Sequence, residues 1–294
     1  METIGAASLR LYMLSSPIMQ AEALSFKDEE CRQIQRSIFG ILWNVRQFYL
    51  TYSKDVELSG ATPRSLHVLD RWIFSRLDEL TLHVTREMDD YQFANALRPI
   101  RLFVDDLSTW WLRRSRERMK QTEDLDDAAD AVRTLREVLL TFSKLLAPFA
   151  PFFAEKLYQD LEGEKMSVHL DKWPKADEGA VDPGLLSDMQ WVRDVVNAGL
   201  EQRVATKLPV RQALASITVL VRDEKLYGRV AEKQDLHRLI AEELNVEKVV
   251  ITKADTATAE AWEAKIDTEL TPELKRKGLA REVVRHIKIG RAHV

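Results

Sequence analysis

The chain has 294 residues, 45% hydrophobic and 31% charged, with only ten glycines and nine prolines. This composition excludes collagen-like, linker-rich and low-complexity chains and argues against a turn-rich all-β fold. Lys and Arg number 43 against 47 Asp and Glu, a formal net charge of −4, so an overall basic coat for nucleic acid is excluded while a local basic patch is not. One cysteine, Cys31, leaves no intrachain disulfide framework and no CxxC zinc pair. No apolar run approaches the about 20 residues of a membrane span, and the N-terminus has no basic lead of the kind a signal peptide needs. The expectation is a helix-rich, cytoplasmic chain.

Residues 1–27 place Leu9, Leu11, Tyr12 and Leu14 as if facing a core, with almost nothing before them to pack against; they read as a junction to a preceding domain, not ordered by themselves. From Asp28, taken as an N-cap, Ile34, Ile38, Ile41, Leu42, Val45, Phe48 and Tyr52 mark one face of a long helix, with Gly60 and Pro63 in the loop after it. A second helix over about 67–88 has Leu69, Trp72, Ile73, Leu77, Leu80 and Val84 as its stripe. In a third, Phe93, Leu97, Ile100, Val104, Leu107 and Trp111 form a coiled-coil-like seam that Pro99 should kink. A fourth spans about 126–147, and 152–161 resumes after Pro148 and Pro151. Four long amphipathic segments with short connections predict an antiparallel helical bundle over 28–161.

Residues 162–184, with Gly163, Pro174, Gly179 and Pro183, read as a connector. Residues 185–288 alternate a helix (185–204), a strand (213–222), a helix (235–244), a strand (246–252) and a last helix opened by Thr271 as N-cap and Pro272. The fold class is therefore mainly α: a bundle followed by a small α+β region.

Much catalytic chemistry is absent. The six histidines are scattered, and the sequence has no H-E-x-x-H, P-loop, G-x-G-x-x-G or G-x-S-x-G pattern. The paired acids Asp89-Asp90, Asp105-Asp106 and Asp126-Asp127 point about 100° apart on a helix and suit caps, ion pairs and solvated faces better than acid–base work.

One stretch stands out. Residues 113–120 carry five bases (Arg113, Arg114, Arg116, Arg118, Lys120) and one acid, just after Trp110-Trp111. Guanidinium forks bind phosphate oxygens, and an adjacent aromatic can stack an unpaired base. Trp111 belongs to the seam, so Trp110 is the candidate for a surface role. The alternative is a helix end whose bases complement its dipole and pair with Glu123, Asp124, Asp126 and Asp127. Lys207 and Arg211, flanking Pro209, and the basic run from Lys275 to Arg291 are further candidates for phosphate contact or plain solvated surface.

Phe103-Val-Asp-Asp-Leu-Ser-Thr-Trp-Trp-Leu-Arg-Arg-Ser-Arg-Glu-Arg118 resembles the anticodon-binding helical domain of the isoleucyl-tRNA synthetases, class I enzymes. Gly5-Ala-Ala-Ser-Leu-Arg-Leu-Tyr-Met-Leu-Ser-Ser-Pro17, Leu42-Trp-Asn-Val45 with Phe48, Ser167-Val-His-Leu170 with Trp173-Pro174, Leu208-Pro-Val-Arg-Gln212, Glu242-Glu-Leu-Asn-Val246 and Leu270-Thr-Pro-Glu-Leu274 with Gly278-Leu-Ala-Arg-Glu282 follow in the family's order. Ala7 stands where the family usually has an acid, and Trp111 where Tyr is common. The class I His-Ile-Gly-His and Lys-Met-Ser-Lys-Ser strings are absent; Lys165-Met166-Ser167 runs on into the Ser-Val-His-Leu segment instead. Residues 289–294 leave the pattern and look like an artefactual tail.

The resemblance implies a C-terminal piece of a longer enzyme, inactive alone, whose missing catalytic domain uses ATP and Mg. It implies isoleucine tRNA as partner, held at the anticodon stem-loop by Trp110, Arg113, Arg114, Arg116, Arg118, Lys120, Lys207 and Arg211, with no DNA or membrane partner and a monomeric parent. Arg10, Trp43 and Asn44 would dock the bundle on the catalytic domain. A valyl or leucyl relative, or a helical protein–protein module meeting an acidic partner, are the alternatives.

Overall fold

Long apolar stripes must be covered, and over residues 1–182, the first of two units, they are covered helix on helix. The computed structural model describes residues 5–54, 56, 65–120, 123–176, 178–254 and 261–280. The Gly60–Pro63 loop, the basic residues 281–291 and the tail 289–294 lie outside the described residues.

The first unit opens with α1 (Ala6–Leu14), a 3-10 turn (Pro17–Gln20), α2 (Asp28–Ile34), a π-helical stretch (Gln35–Gly40) and α3 (Ile41–Tyr52). It continues with α4 (Val68–Asp89), α5 (Phe93–Asp105), a second π-helix (Asp106–Leu112), α6 (Arg113–Lys120), α7 (Leu125–Leu146) and α8 (Pro151–Asp160). Of the expected stripes, Leu42, Leu69, Trp72, Ile73, Ile100, Val104 and Trp111 are fully buried, while Ile34, Ile41, Phe48, Tyr52 and Phe93 are half-buried. Phe103, Phe142 and Phe149 are buried with them, and Phe103 stacks on Phe142 with centroids 5.3 Å apart.

The N-terminal segment departs from expectation. α1 buries Leu11 and Tyr12, and Arg10 donates from Nε to Phe149 O (3.0 Å) and from Nη2 to Pro148 O (3.1 Å). Those carbonyls follow the end of α7, where backbone acceptors have no helical partner. Asp28 is not the cap of α2; Lys27 holds that position, and Asp28, Glu29 and Glu30 fill the first turn, where the helix dipole favours acids. Pro99 sits inside α5 without ending it.

Residues 162–182, read as a plain connector, are fastened to the bundle. The Tyr158 hydroxyl donates to Asp171 (2.6 Å) and accepts the Lys165 N–H (3.0 Å). Lys144 pairs with the same carboxylate at 2.9 Å. A Cβ on Gly163 would stand 2.1 Å from the Tyr158 ring, so only glycine fits. Glu155 accepts from Ser167 Oγ and Val168 N, both at 2.9 Å, and Trp173 Nε1 donates to Thr85 Oγ1 at 2.8 Å.

The second unit, residues 183–294, has α9 (Pro183–Ala205), β1 (Leu214–Val221), α10 (Glu224–Val230), α11 (Gln234–Leu244), β2 (Val246–Lys253) and β3 (Trp262–Ile266). Residues 272–280 are helical, with Thr271 Oγ1 accepting from Leu274 N at 3.3 Å. α10 and β3 had no clear signal in the sequence. The sheet order is β2-β1-β3, with β1 parallel to β2 (Val219 opposite Ile251) and antiparallel to β3 (Val219 opposite Ala264). Ile217, Val219 and Val221 alternate into the core. The close approach of α9 to α11 needs Gly199, whose Cβ would lie 2.6 Å from Leu244.

Arg203, 1% exposed, ties this unit together without a carboxylate. Nη1 donates to Pro209 O and Gln212 O (both 3.1 Å), and Nη2 to Leu244 O and to Asn245 O (3.2 Å). Burial pulls its pKa down, and the carbonyls at the end of α11 favour the cation. Arg203→Met should strand four carbonyls, that of Leu244 fully buried, and cost about 3 kcal/mol, seen as about a hundredfold loss of hydrogen-exchange protection in β1.

Asp171 gives a pH test. Hydrogen bonds from Lys144 and Tyr158, the former larger, hold its pKa down to about 2. A folded pKa below the unfolded one contributes stability above the ordinary carboxylate range, lost as pH falls from about 4 toward 2. Thermal melts across that window should therefore drop more steeply for the parent chain than for Lys144→Met.

Candidate nucleic-acid interface

The basic stretch is the end of one continuous helical rod, α5, the second π-helix and α6. A π-turn closes i→i+5 and takes in an extra residue, so the inward face widens. Trp110, Trp111 and Leu112 are consequently buried in succession, at 9%, 0% and 3% exposure. Trp110 is thus corrected: it lies in the core and offers no face to a base, because the π-turn rotates it inward where an α-helical count left it outside.

Helix α4 pins the rod at two points. Arg76 Nε donates to the buried Asp106 carboxylate at 2.9 Å, and Trp111 Nε1 donates to Asp70 Oδ1 at 2.8 Å. Asp70 is fully buried. Arg118 Nη1 and Nη2 reach its two oxygens at 3.0 and 2.9 Å. The other side of the same guanidinium meets Asp127 on α7, Nε at 3.0 and 3.1 Å and Nη2 at 2.6 Å. Burial alone would lower the Arg118 pKa, but the hydrogen bonds to Asp127 and Asp70 outweigh it and the group is held firmly protonated.

Arg118 is therefore corrected as well. Its donors are taken by two carboxylates, so it fixes α6 between α4 and α7 and is not presented to a phosphate. The expected pairing with acids beyond the helix holds for Arg118, through Asp127; Asp124 also caps α7, accepting from Asp127 N at 3.0 Å. The acids Asp70 and Asp106 were missed as partners. Asp70 lies beside the apolar stripe of α4 (Leu69, Trp72, Ile73), and an acid against a buried stripe is the signal that marks it.

The remaining bases divide by exposure. Arg113, Arg116 and Lys120 are exposed, while Arg114 is half-buried. Arg113 Nε donates to Thr109 O at 2.8 Å. Arg116 lies over the Phe48 ring at 5.8 Å. Lys120 pairs loosely with Glu117 at 3.4 Å. Such exposed contacts are weak and exchangeable.

Lys207 and Arg211 are exposed in the second unit, on the loop that Arg203 fastens. Arg10 is committed to the Pro148 and Phe149 carbonyls. Trp43 is 44% exposed, with the Arg46 guanidinium 4.2 Å over its ring, and Asn44 is exposed beside it. Among the described residues no group of three or more His, Cys, Asp or Glu could hold a metal ion, and no helix is long and apolar enough to cross a membrane.

Arg118→Ala should leave Asp70 as an uncompensated buried charge and destabilise the first unit by about 3–5 kcal/mol. Arg113→Ala and Arg116→Ala should stay within about 0.5 kcal/mol of the parent. Urea unfolding of the three variants distinguishes the fastened arginine from the exposed ones.

The family model of the anticodon-binding domain of tRNA ligases matches residues 70–219. The isoleucine–tRNA ligase of Chlamydia pneumoniae is 38% identical over 258 residues, 85% of this chain and 24% of that protein. That of Chlamydia muridarum is 39% identical over 256 residues, with 85% and 24% covered. That of Dehalococcoides mccartyi is 34% identical over 315 residues, with 99% and 30% covered. Among solved structures, a LeuRS-tRNA-LeuAMS ternary complex from Agrobacterium radiobacter K84 aligns with a TM-score of 0.41 at 19% identity, over 61% of this chain and 20% of that one. The chain spans about a quarter of the length of the first two curated relatives. With half of its residues under the family model and its helices arranged as a bundle, the chain belongs to the anticodon-binding domain family of tRNA ligases.

Proposed function

We propose that this chain is the tRNA-binding portion of an isoleucine–tRNA ligase, and that it grips the anticodon stem-loop of isoleucine tRNA while a catalytic portion elsewhere in the parent enzyme attaches the amino acid. The observation that carries the reading is the exposed row Arg113, Arg116 and Lys120 on a helix that the buried Asp70 and the half-buried Asp127 fasten through Arg118, within a match to the anticodon-binding family. Exposed guanidinium and ammonium groups on a fixed helix suit the phosphates of a folded RNA. Arg114, Lys207 and Arg211 are secondary candidates for the same backbone. Trp43 and Asn44 form the face assigned to docking against the catalytic portion.

ATP and Mg belong to the parent's catalytic portion on this reading, and no residue of this chain is assigned to them. The sequence carries neither class I signature string, so the chain alone should form no isoleucyl-adenylate.

The test is fluorescence anisotropy of the whole chain with isoleucine tRNA and with an anticodon-swapped copy, at a series of salt concentrations. Binding should weaken with salt, and the native anticodon should bind more tightly. The triple variant Arg113→Ala, Arg116→Ala, Lys120→Ala should lose about 2.1–2.7 units of the log–log salt slope, at about 0.7–0.9 per phosphate contact. Equal, weak binding of both RNAs by the parent chain would sink the proposal.

A further inference from the structure

Two more arginines stand on the same rod. Arg98 and Arg101 of α5 are exposed, and among the described residues neither has a hydrogen bond or ion pair. Counted as an unbroken α-helix, Arg101 and Arg113 would lie about 120° apart around the axis, at about 100° per residue. The π-turn between them changes that. It absorbs about one extra residue, so the path from Arg101 to Arg113 rotates like about eleven α-helical steps, three turns and about 20°. The path from Arg101 to Lys120 rotates like about eighteen, or five whole turns. Arg101, Arg113 and Lys120 therefore fall on one line, with Arg116 about 40° to one side and Arg98 about 60° to the other. The exposure pattern agrees, since 98, 101, 109, 113, 116 and 120 are all exposed.

At about 1.5 Å per residue, Arg101 stands about 17 Å along the rod from Arg113 and about 27 Å from Lys120. The acids on this face are Asp105, half-buried, and Glu117, which pairs with Lys120. Glu30, which lines the same cleft as Arg101, is taken by Lys27 at 3.0 Å. Taken together, the face has five cations (Arg98, Arg101, Arg113, Arg116, Lys120) against the two acids Asp105 and Glu117.

We infer that Arg101, with Arg98 beside it, is a second phosphate-binding point on this rod, set in line with the α6 cations by the π-turn, and that the ridge receives the sugar–phosphate backbone of an RNA duplex stem. This rests on the RNA-binding reading above. A single loop phosphate cannot meet cations 17–27 Å apart (about 1.5 Å of helix per residue), whereas a stem presents a long row of phosphates and is read by shape and backbone contact. The π-turn thereby has two effects: it buries Trp110 and it straightens the charge.

The test repeats the salt series on the whole chain with fluorescein-labelled isoleucine tRNA transcript. Arg98→Ala with Arg101→Ala should lower the log–log slope by about 1.4–1.8, and Arg101→Ala alone by about 0.7–0.9. Arg101→Lys should keep most of the slope. Lys165→Ala with Lys172→Ala, exposed bases on the loop after α8, removes the same charge off the rod and should leave the slope nearly unchanged. If the α6 triple variant loses slope while the Arg98/Arg101 pair does not, the ridge is wrong and the RNA-binding reading stands. If the loop pair costs as much slope as the α5 pair, the effect is net charge alone and the ridge is again wrong. If the parent chain shows no salt-dependent binding, the RNA-binding reading fails and the ridge falls with it.

Discussion

One guanidinium organises the first unit. Arg118 lies between Asp70 on α4 and Asp127 on α7 and offers both edges of its fork to carboxylates, while Asp70 also accepts from the Trp111 indole. Removing three charged groups from water is costly, and their mutual attraction repays it only when nearly every donor and acceptor is matched. Here the matching comes from three separate helices. The pairing therefore fixes α6 relative to α4 and α7 and prevents the end of the rod from fraying. The neighbouring cations gain a rigid base: Arg113, Arg116 and Lys120 project from a backbone that need not be ordered when an RNA arrives, which lowers the entropic cost of binding.

The π-helix of Asp106–Leu112 is the second constraint, and it depends on the first. A π-turn has poorer local bonding than an α-turn and survives where tertiary contacts hold it. Arg76–Asp106 fastens one end and Trp111–Asp70 the other. The extra residue turns three successive large side chains into the core and resets the phase of everything beyond. Arg101 of α5 then falls in line with Arg113 and Lys120 of α6, from which a regular helix would hold it about 100–120° away.

The second unit solves a similar problem with different chemistry. Arg203 is as buried as Asp70 but meets only carbonyl oxygens, two from the loop after α9 and two from the end of α11. Neutral dipoles at a helix C-terminus replace a counter-ion. This holds the 209–212 loop, and with it Lys207 and Arg211, to the sheet and its covering helix. In each unit an arginine tied into the packing, half-buried Arg118 in the first and buried Arg203 in the second, settles the position of exposed ones.

The amphipathic period alone located the bundle helices, because burying a stripe of Leu, Ile, Val and Trp leaves few other solutions. The motif strings located the family, and residues 113–120 located the charge. Helix α10, strand β3 and the fastening of 162–182 were not legible, since short elements are stabilised by partners distant in the chain and carry little periodicity of their own. The fate of individual site residues was legible least. Trp110 read as exposed because a fixed 100° step was carried through a turn that does not keep it. Arg118 read as equivalent to its neighbours because its deciding partner, Asp70, lies 48 residues away. The sequence by itself determined which segments are helical, which faces are apolar and where positive charge accumulates, all consequences of local spacing. Only the tertiary structure decided which of those charges is fastened inside the fold, because that depends on the carboxylates that packing brings beside it.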